Sequence, residues 1–314
     1  MKALTHLGYG DTPGLVVGER ERPTFGPREV LVRVRAASLN AADGFMATGR
    51  PWPLRFLTGL TRPTRQLLGL DFAGEVVSVG ADVHHLRVGD AVFGEARGTF
   101  AEIAAVPATQ LAKKPESLSF DQAATLPVAG CTALQGLRDK AGVKPGDRVL
   151  INGGSGGVGS FAIQVARALG AEVTAVCSGR NSARARELGA SHVIDYAEAD
   201  FTAAAPSYDV IFDLVGRTPL RSCVQALQPD GVYVSSAGRV AWVLKVALAS
   251  LCPGSRVKLV ATTVDPRDLE TLASMMESGH IRAPIAERLG LEQLPDALHA
   301  QIAGHARGKT VVLI

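Results

Sequence analysis

The sequence lacks the features of membrane-spanning and secreted proteins. No run of about 20 apolar residues occurs, and the most apolar stretch, Val240–Leu251, is about half that length and carries Lys245 near its middle. The first residues hold one Lys and then polar residues and glycines, without the apolar segment of a secretory signal. We therefore expect no membrane association and a cytoplasmic location.

Cysteine clusters and concentrated charge are also missing. The four cysteines, Cys131, Cys177, Cys223 and Cys252, are dispersed without a CxxC pair, which predicts buried free thiols rather than disulfides or a zinc cluster. The 33 basic and 30 acidic residues are intermixed and leave a net charge of +3, so no nucleic-acid partner is expected. With 46% hydrophobic residues over 314 positions, the chain is expected to be globular.

From about residue 144 onward, short β-branched runs alternate with helical segments, as in a parallel sheet covered by helices. Six runs are predicted to be strands: Arg148–Asn152, Glu172–Ser178, His192–Tyr196, Tyr208–Val215, Gly231–Ser236 and Lys258–Val264. Six strands with short crossovers match the doubly wound sheet that binds dinucleotides. The apolar segment Val240–Leu251 is interpreted as a buried or substrate-facing helix.

The first 120 or so residues have a different pattern. Short apolar runs separated by Gly, Pro and Asp, with little helical periodicity, predict an all-β region. After the sixth strand, the pattern predicts a helix around Asp268–Ser278, a strand near Ile285, a helix around Leu291–Ile302 and a final strand, Thr310–Ile314. Such a tail is able to rejoin the β region, which would then be discontinuous.

A glycine-rich segment follows the first of the six strands, with the sequence Gly153-Gly154-Ser155-Gly156-Gly157-Val158-Gly159. It contains GxGxxG at Gly154, Gly156 and Gly159 and precedes apolar residues at helical spacing. In such a loop the first glycine permits a tight turn, the second lets the backbone approach a pyrophosphate, and the third lets the helix pack on the strand. The N–H groups of the helix start then face the phosphates. The loop predicts a dinucleotide site, the alternative being a merely flexible turn.

The end of the second strand indicates which dinucleotide binds. NAD-specific proteins place an acidic residue there for the ribose 2′-hydroxyl, whereas this sequence has Ser178-Gly179-Arg180-Asn181. The Ser178 hydroxyl and the Arg180 guanidinium suit a 2′-phosphate, which a carboxylate would repel. NADPH is therefore the predicted cofactor; alternatively, Arg180 is an ordinary solvated charge.

Several segments together resemble the medium-chain dehydrogenase/reductase superfamily, especially its zinc-free quinone-oxidoreductase and reticulon-interacting-protein-like branches. Besides the glycine loop they are residues 38–43, 69–74, 88–90, 126–134 and 308–312. The resemblance implies an α/β protein: a GroES-like β domain (1–124 and 266–314) and a Rossmann domain with a doubly wound six-stranded parallel sheet (125–265). It also implies that cofactor and substrate occupy the cleft between the domains, and that the protein is a homodimer.

The sequence departs from the zinc-dependent alcohol dehydrogenases of that superfamily. Those enzymes have a zinc-binding Cys where this sequence has Asn40, a His-Glu pair where it has Leu70-Asp71, and a four-cysteine lobe where Gly89–Phe100 contains no cysteine. The resemblance therefore implies neither a catalytic nor a structural zinc. Without a Lewis acid to polarise an alcohol or carbonyl oxygen, the expected reaction is hydride addition to an electron-poor acceptor.

The resemblance implies catalytic roles for two residues of the first domain. Asn40, which matches a residue beside nicotinamide and substrate in similar proteins, is expected to donate a hydrogen bond to the acceptor oxygen. Asp43 is the second catalytic candidate. Alternatively, Asn40 shapes the turn after a strand and Asp43 only fixes the loop. Phe45 stands near the position where some of these reductases have a tyrosine proton donor, so no general acid is identified.

The resemblance also implies contacts with the cofactor outside the glycine loop. The expected residues lie along the nicotinamide, near the adenosine phosphate, or at the ends of the fourth and fifth strands: Thr132, Tyr196, Leu214, Val215, Ser236 and Ala237. The alternative for each is ordinary packing at a strand end. Their shared position at the carboxyl ends of parallel strands favours the cofactor.

Two functions remain open at this point. The first is an NADPH-dependent reductase of a small, apolar, electron-poor substrate, either a quinone or a C=C conjugated to a carbonyl. The second is an NADPH-binding regulatory or redox-sensing protein with little turnover, since a fold and a cofactor loop do not guarantee chemistry. Residues 49–66 and 240–251, rich in Leu, Trp and Phe, would wall an apolar acceptor pocket or form a subunit contact.

Overall fold

The computed structural model describes residues 1–10, 14–203, 207–238, 240–303 and 308–314. The strands within these ranges are β1 (Lys2–His6), β2 (Leu15–Glu19), β3 (Glu29–Ser38), β4 (Asp71–Val79), β5 (Ala91–Glu95), β6 (Ile103–Pro107), β7 (Leu111–Lys113), β8 (Arg148–Asn152), β9 (Glu172–Cys177), β10 (His192–Asp195), β11 (Tyr208–Asp213), β12 (Leu227–Ser235), β13 (Val257–Leu259), β14 (Ile285–Gly290) and β15 (Lys309–Leu313).

The α-helices are α1 (Ala41–Thr48), α2 (Arg55–Thr58), α3 (Phe120–Ala123), α4 (Pro127–Leu134), α5 (Gly157–Ala168), α6 (Ser182–Glu187), α7 (Leu220–Gln225), α8 (Val240–Ser250), α9 (Pro266–Glu277) and α10 (Leu294–Ile302). A π-helical segment, Gln135–Ala141, continues α4. Single 3₁₀ turns occupy Trp52–Leu54, Ala108–Gln110, Gly179–Asn181 and Leu291–Gln293.

The chain forms two compact units. Unit 1 comprises residues 1–128, 264–277 and 283–314, and unit 2 comprises residues 129–263 and 278–282. The domain limit predicted after residue 124 falls a few residues before the end of the first segment of unit 1. Residues 278–282 belong to unit 2, although the sequence placed them in the discontinuous first domain.

Unit 1 is built on a seven-stranded sheet with the order β14-β15-β3-β4-β5-β7, to which β6 is added by pairing with β3. Along β3 the alternate residues Val30, Val32 and Val34 are buried, as expected for a strand with one face on a core. The last strand, β15, pairs antiparallel with β3. The C-terminal tail therefore belongs to the same sheet as β3, while β1 and β2 pair with each other in a separate two-stranded sheet.

Unit 1 is not all-β, and the prediction for the first 120 residues is wrong in this respect. α1 spans Ala41–Thr48, and α2 spans Arg55–Thr58. α1 ends where Gly49 adopts the left-handed conformation, with φ of 62°. Two helical turns offer too few positions for a 3.6-residue period to be visible in the sequence.

Unit 2 contains the predicted six-stranded parallel sheet, with the order β10-β9-β8-β11-β12-β13, so the predicted α/β fold class is confirmed. The sixth strand is shorter than predicted, Val257–Leu259 rather than Lys258–Val264. Its partner β12 ends at Ser235, which pairs with Leu259 and accepts a hydrogen bond from Val260 N at 2.9 Å, so the pairing does not extend beyond this point.

Two predictions about burial are wrong in part. Of the two alternatives for α8, the buried helix is wrong, because Leu244 and Leu248 are 58% and 68% exposed and only Val246 is buried. The substrate-facing helix stays a prediction. The cysteines are all free thiols, and Cys252, which follows α8, is exposed while the other three are buried. Within the described ranges, every helix is too short or too polar to cross a bilayer.

Candidate functional site

The carboxyl ends of the strands in unit 2 bring most of the predicted cofactor residues to one edge of the sheet. The strand order reverses at β8, which lies between β9 and β11 and is followed by the glycine loop. Ser178 follows β9, Tyr196 follows β10, Leu214 and Val215 follow β11, and Ser236 and Ala237 follow β12. A reversal of this kind is where doubly wound sheets bind dinucleotides.

Four glycines of the loop differ in what surrounds them. Gly153, with φ of 94°, makes the tight turn that was assigned to Gly154; Gly154 instead lies against β9, where a Cβ would be 3.0 Å from the Cβ of Ala175. A Cβ on Gly159 would overlap the carbonyl oxygen of Gly153, so this glycine lets α5 approach the turn. A Cβ on Gly156 would meet only ordinary contact, 3.6 Å from the same oxygen.

Gly156 is therefore not required by the protein's own packing. It precedes α5, with φ of −76° and ψ of 176°, a conformation that any residue adopts. The first N–H groups of a 12-residue helix have no intrahelical acceptor. The space beside Gly156 at these N–H donors suits a pyrophosphate. The other predicted phosphate-binding residues, Ser155, Gly157 and Val158, are its neighbours in the chain.

The predicted 2′-phosphate residues directly follow β9. A carboxylate that the sequence argument missed lies beside them, at the end of β10. The Ser178 hydroxyl accepts a hydrogen bond from Asn181 Nδ2 at 3.0 Å, and Arg180 is exposed on the 3₁₀ turn beside it. Asp195, at the end of the neighbouring strand β10, lies so close to Gly179 that a Cβ there would overlap its carboxylate. Tyr196, 65% exposed, follows Asp195.

A buried carboxylate fixes the loop after β11. Asp213 Oδ1 accepts hydrogen bonds from Asn152 Nδ2 (2.9 Å), Val215 N (2.9 Å) and Gly216 N (3.1 Å). Asp213 Oδ2 accepts one from the Tyr233 hydroxyl at 2.6 Å, and burial, together with the charge of Asp213, raises the pKa of that phenol. The Asp213 carboxylate thus holds together the carboxyl-terminal ends of β8, β11 and β12.

Thr132 is placed by a side-chain hydrogen bond within unit 2. It lies in α4 and is buried, and its hydroxyl is 2.8 Å from that of Thr262. Gln135 Nε2 donates to the carbonyl oxygen of Thr263 at 2.7 Å. The two contacts attach the end of α4 and the start of the π-helical segment to the residues after β13.

Unit 1 contains a buried charged cluster around Asn40. Lys309 Nζ lies 2.7 Å from Asn40 Oδ1, 3.0 Å from the carbonyl oxygen of Leu39 and 3.2 Å from Asp71 Oδ2. Asp71 also accepts from Val128 N at 3.0 Å and from the Ser38 hydroxyl at 3.3 Å. The side chains of Lys309 and Asp71 are 1% and 0% exposed. Burial raises the pKa of Asp71, and Lys309 partly offsets that rise.

Asp43 holds the loop at the start of α1, and its catalytic role stays a prediction. Its Oδ2 accepts a hydrogen bond from Asn40 N at 2.7 Å, while its buried Oδ1 has no hydrogen-bond partner among the described residues. Burial raises the pKa of Asp43 to about 7, and the charge of Asp71 adds to the rise. This carboxyl therefore changes protonation near neutral pH.

We predict that Asp43 makes stability depend on pH. Its ordinary pKa is 3.8 and its folded pKa is about 7, so between these values the native state holds a proton that the unfolded state has lost. Stability then falls as pH rises through this window, by up to about tenfold in the folding equilibrium constant per pH unit. Asp43→Asn removes this contribution. In denaturant titrations between about pH 5 and pH 8, the free energy of unfolding of the variant relative to the wild type should therefore increase as pH rises. Parallel curves would contradict the assignment.

The oxygen donors around Asn40 face a lysine side chain. In the part of the chain that the structure describes, no group of three or more His, Cys, Asp and Glu side chains is placed to hold a metal. The oxygen atoms of Asn40 and Asp71 face the Lys309 ammonium. The Lys309 ammonium, a cation that belongs to the protein itself, thus binds these oxygen atoms.

Sequence reasoning missed three residues that organise these sites. Asp195 belongs to a neighbouring strand, and no spacing rule along the chain brings it to Gly179. Asp213 was treated only as part of a strand. Lys309 had a visible signal: it shares the inward face of β15 with Val311, where alternation would place an apolar residue.

Comparisons with known proteins match both units. A model described as alcohol dehydrogenase GroES-like domain matches residues 26–116, and one described as zinc-binding dehydrogenase matches residues 188–312. The mitochondrial NAD(P)H oxidoreductase RTN4IP1 of Mus musculus is 33% identical, over 91% of this chain and 82% of that protein. The 2-methylene-furan-3-one reductase of Solanum lycopersicum is 32% identical, over 99% of this chain and 79% of that protein.

A solved structure has the same fold over its full length. The quinone oxidoreductase from Coxiella burnetii matches with a TM-score of 0.89 and 33% sequence identity, covering 100% of this chain and 99% of that chain. Both the β-rich unit and the unit with the parallel sheet are included in this match.

Proposed function

Because the chain belongs to the medium-chain dehydrogenase/reductase superfamily, on its quinone-oxidoreductase branch, and is an oxidoreductase, we propose that it is an NADPH-dependent reductase of quinones or carbonyl-conjugated C=C bonds. The observation that carries the proposal is the glycine loop of unit 2. Gly156 has no steric neighbour that excludes a Cβ, and it lies at the start of α5 in a GxGxxG loop, where a pyrophosphate would need the space.

The residues at the edge of the sheet suit a dinucleotide. The N–H groups at the start of α5 would hold the pyrophosphate. Ser178 and Arg180 would hold the 2′-phosphate, Tyr196 would lie near the adenosine, and the loops after β11 and β12 together with Thr132 would flank the nicotinamide. The bound cofactor supplies the hydride.

We expect an electron-poor acceptor, because the oxygen atoms of Asn40 and Asp71 face Lys309 and are not arranged to hold a Lewis-acidic metal ion. Hydride addition to a quinone or to the β-carbon of an enone places negative charge on an oxygen, where a preorganised hydrogen-bond donor stabilises it. We assign that donor to the Asn40 amide. A proton from solvent then completes the reduction, so one hydride and one proton are added per acceptor and one NADPH is oxidised.

Zinc independence is part of this proposal. One of the matching family models is described as zinc-binding dehydrogenase, but the oxygen atoms of Asn40 and Asp71 are bound to Lys309. The oxidation of alcohols, which needs the metal in zinc enzymes, is therefore not proposed. A cytoplasmic location and a homodimer stay predictions.

The test of this function is a panel of acceptors. Purified protein and NADPH are mixed with quinones, enones, simple alcohols and simple aldehydes, and loss of nicotinamide absorbance is followed. We expect turnover with at least one quinone or enone and none with unactivated alcohols or aldehydes. Saturable NADPH binding without turnover on any acceptor would favour the NADPH-binding regulatory protein instead.

We predict that Arg180 determines the preference for NADPH over NADH. Arg180→Ala removes a guanidinium that would bind the 2′-phosphate, and a charge-assisted hydrogen bond is worth roughly 1.5–3 kcal/mol. The KM for NADPH should rise about tenfold or more, while the KM for NADH stays unchanged. Arg186→Ala, at an exposed position on α6, is the matched control and should leave both constants unaltered. Equal losses for both cofactors would show that Arg180 does not set the preference.

A further inference from the structure

Asp195 supplies a carboxylate at a place where β9 itself lacks one. In NAD-specific sheets the acidic residue for the adenosine ribose stands about 20 residues after the glycine loop, at the end of the second strand. Gly179 is at this spacing from Gly159 and has no side chain. A Cβ on Gly179 would overlap Asp195 Oδ2, which reaches it from the end of the neighbouring strand β10. A carboxylate oxygen therefore occupies the space that a side chain at position 179 would take.

The Asp195 carboxylate is held by its own turn, and one of its oxygens is left over. β10 pairs in parallel with β9, and Asp195 is the register partner of Cys177, the last residue of β9. Asp195 Oδ1 accepts a hydrogen bond from Ala197 N at 3.0 Å. Oδ2 accepts none from the residues that the structure describes, and Asp195 is half-buried. The Oδ2 oxygen is therefore available to a donor on a ligand.

Arg180 lies beside this carboxylate and carries the opposite charge. It follows Gly179 and is exposed, and within the described ranges it forms no ion pair with Asp195. A guanidinium suits a 2′-phosphate. A carboxylate repels a phosphate, but it accepts a hydrogen bond from a free 2′-hydroxyl. The two side chains thus suit the two groups by which NADPH and NADH differ.

We propose that Asp195 determines how the protein binds NADH: its Oδ2 accepts a hydrogen bond from the free adenosine 2′-hydroxyl of NADH and repels the 2′-phosphate of NADPH. Arg180 favours the phosphate, so the balance between the two residues sets the discrimination, and the protein uses both coenzymes. This inference rests on the proposed function, which assigns the dinucleotide to this edge of the sheet. It replaces the expectation that a sequence without an acidic residue after β9 keeps carboxylates away from the 2′-position.

The test is the Kd for NADPH and the Kd for NADH, measured by titration calorimetry without any acceptor on the wild type and on Asp195→Asn. The asparagine keeps an oxygen for Ala197 N but removes the charge. We expect the Kd for NADH to rise about five- to tenfold, since a charge-assisted hydrogen bond is roughly twice as strong as a neutral one. The Kd for NADPH should fall at least about threefold, because the repulsion of its phosphate is gone. A loosened fold would instead weaken the binding of both coenzymes.

Glu198→Gln is the matched control for the loss of charge. It removes one negative charge from the same turn, at an exposed position whose N–H donates to the carbonyl oxygen of Asp195. We expect both constants to change less than about twofold, since solvent screens this charge. Equal changes in Glu198→Gln and Asp195→Asn would show that only the net charge of this surface matters, and would overturn the proposal.

An NADH analogue that lacks the adenosine 2′-hydroxyl identifies the group that Asp195 binds. The wild type should bind this analogue about tenfold more weakly than NADH. In Asp195→Asn the difference between the two ligands should shrink to about twofold. If the difference is as large in the variant as in the wild type, the hydroxyl has another partner and the proposal is wrong.

These binding measurements separate this inference from the proposed function. If no acceptor is reduced but the two constants shift in opposite directions in Asp195→Asn, the reductase function fails and the role of Asp195 stands. If an acceptor is reduced with NADPH but the two constants are unchanged or move together, the function stands and the role of Asp195 is contradicted. The same holds if the wild type binds no NADH. Binding of neither coenzyme would contradict both.

Discussion

Gly156→Ala should weaken NADPH binding about 100-fold while leaving the folded protein intact. A Cβ at this position meets only a 3.6 Å contact in the free protein, and the backbone there has φ of −76°, which alanine adopts without strain. The same methyl group fills the space through which a pyrophosphate approaches the start of α5. Losing one or two charge-assisted hydrogen bonds, at roughly 1.5–3 kcal/mol each, gives a factor of this size.

The measurement is titration calorimetry with NADPH, together with thermal unfolding of the unliganded protein. Gly18→Ala is the matched control, because a Cβ there meets no atom within 4 Å and β2 carries no predicted cofactor residue. It should bind NADPH as the wild type does. Gly159→Ala should lower the unfolding temperature as well, since its Cβ overlaps the Gly153 carbonyl oxygen. Wild-type affinity in Gly156→Ala would show that the loop does not hold the phosphates.

Asp213→Ala should reduce the free energy of unfolding by roughly 3–5 kcal/mol. The substitution leaves the Asn152 amide, the N–H groups of Val215 and Gly216, and the Tyr233 hydroxyl without their shared acceptor. Each buried donor without a partner costs about 1–3 kcal/mol, and relaxation recovers part of the total. Asp213→Asn retains the shape and one acceptor oxygen, so its loss should be smaller.

Denaturant unfolding measures this effect, and β11 itself supplies the control. Asp209 lies at the other end of the same strand, is 34% exposed and forms an ion pair with Arg148 at 3.4 Å. Asp209→Ala should cost no more than about 1 kcal/mol. If Asp213→Ala were no more damaging than Asp209→Ala, the Asp213 carboxylate would not be what holds the strand ends together.

The parallel sheet was predictable because each of its central strands is buried on both faces and therefore appears as an uninterrupted apolar run. β8 and β11 match the prediction closely for this reason. β13 was predicted too long, because β12 ends at Ser235 and the equally β-branched residues after Val260 do not pair with it. Pairing is a tertiary property that propensity does not contain.

The candidate site was predictable only where its residues are neighbours in the chain. The glycine loop and the strand ends are local, and the structure places them at one edge of the sheet. Lys309 lies 269 positions from Asn40 along the chain, and its contact exists only because β15 pairs with β3. Asp195 reaches Gly179 by the same kind of strand adjacency. The roles of Asn40 and Asp43 likewise depended on which groups the fold would bring to them.

The central claim is that this chain transfers hydride from NADPH to an activated acceptor without a metal. The most direct measurement is NADPH oxidation by the best acceptor, on protein treated with a strong chelator and analysed for metal in the same sample. We predict undiminished turnover with substoichiometric zinc. Turnover that disappears with the metal and returns when zinc is added would contradict the account.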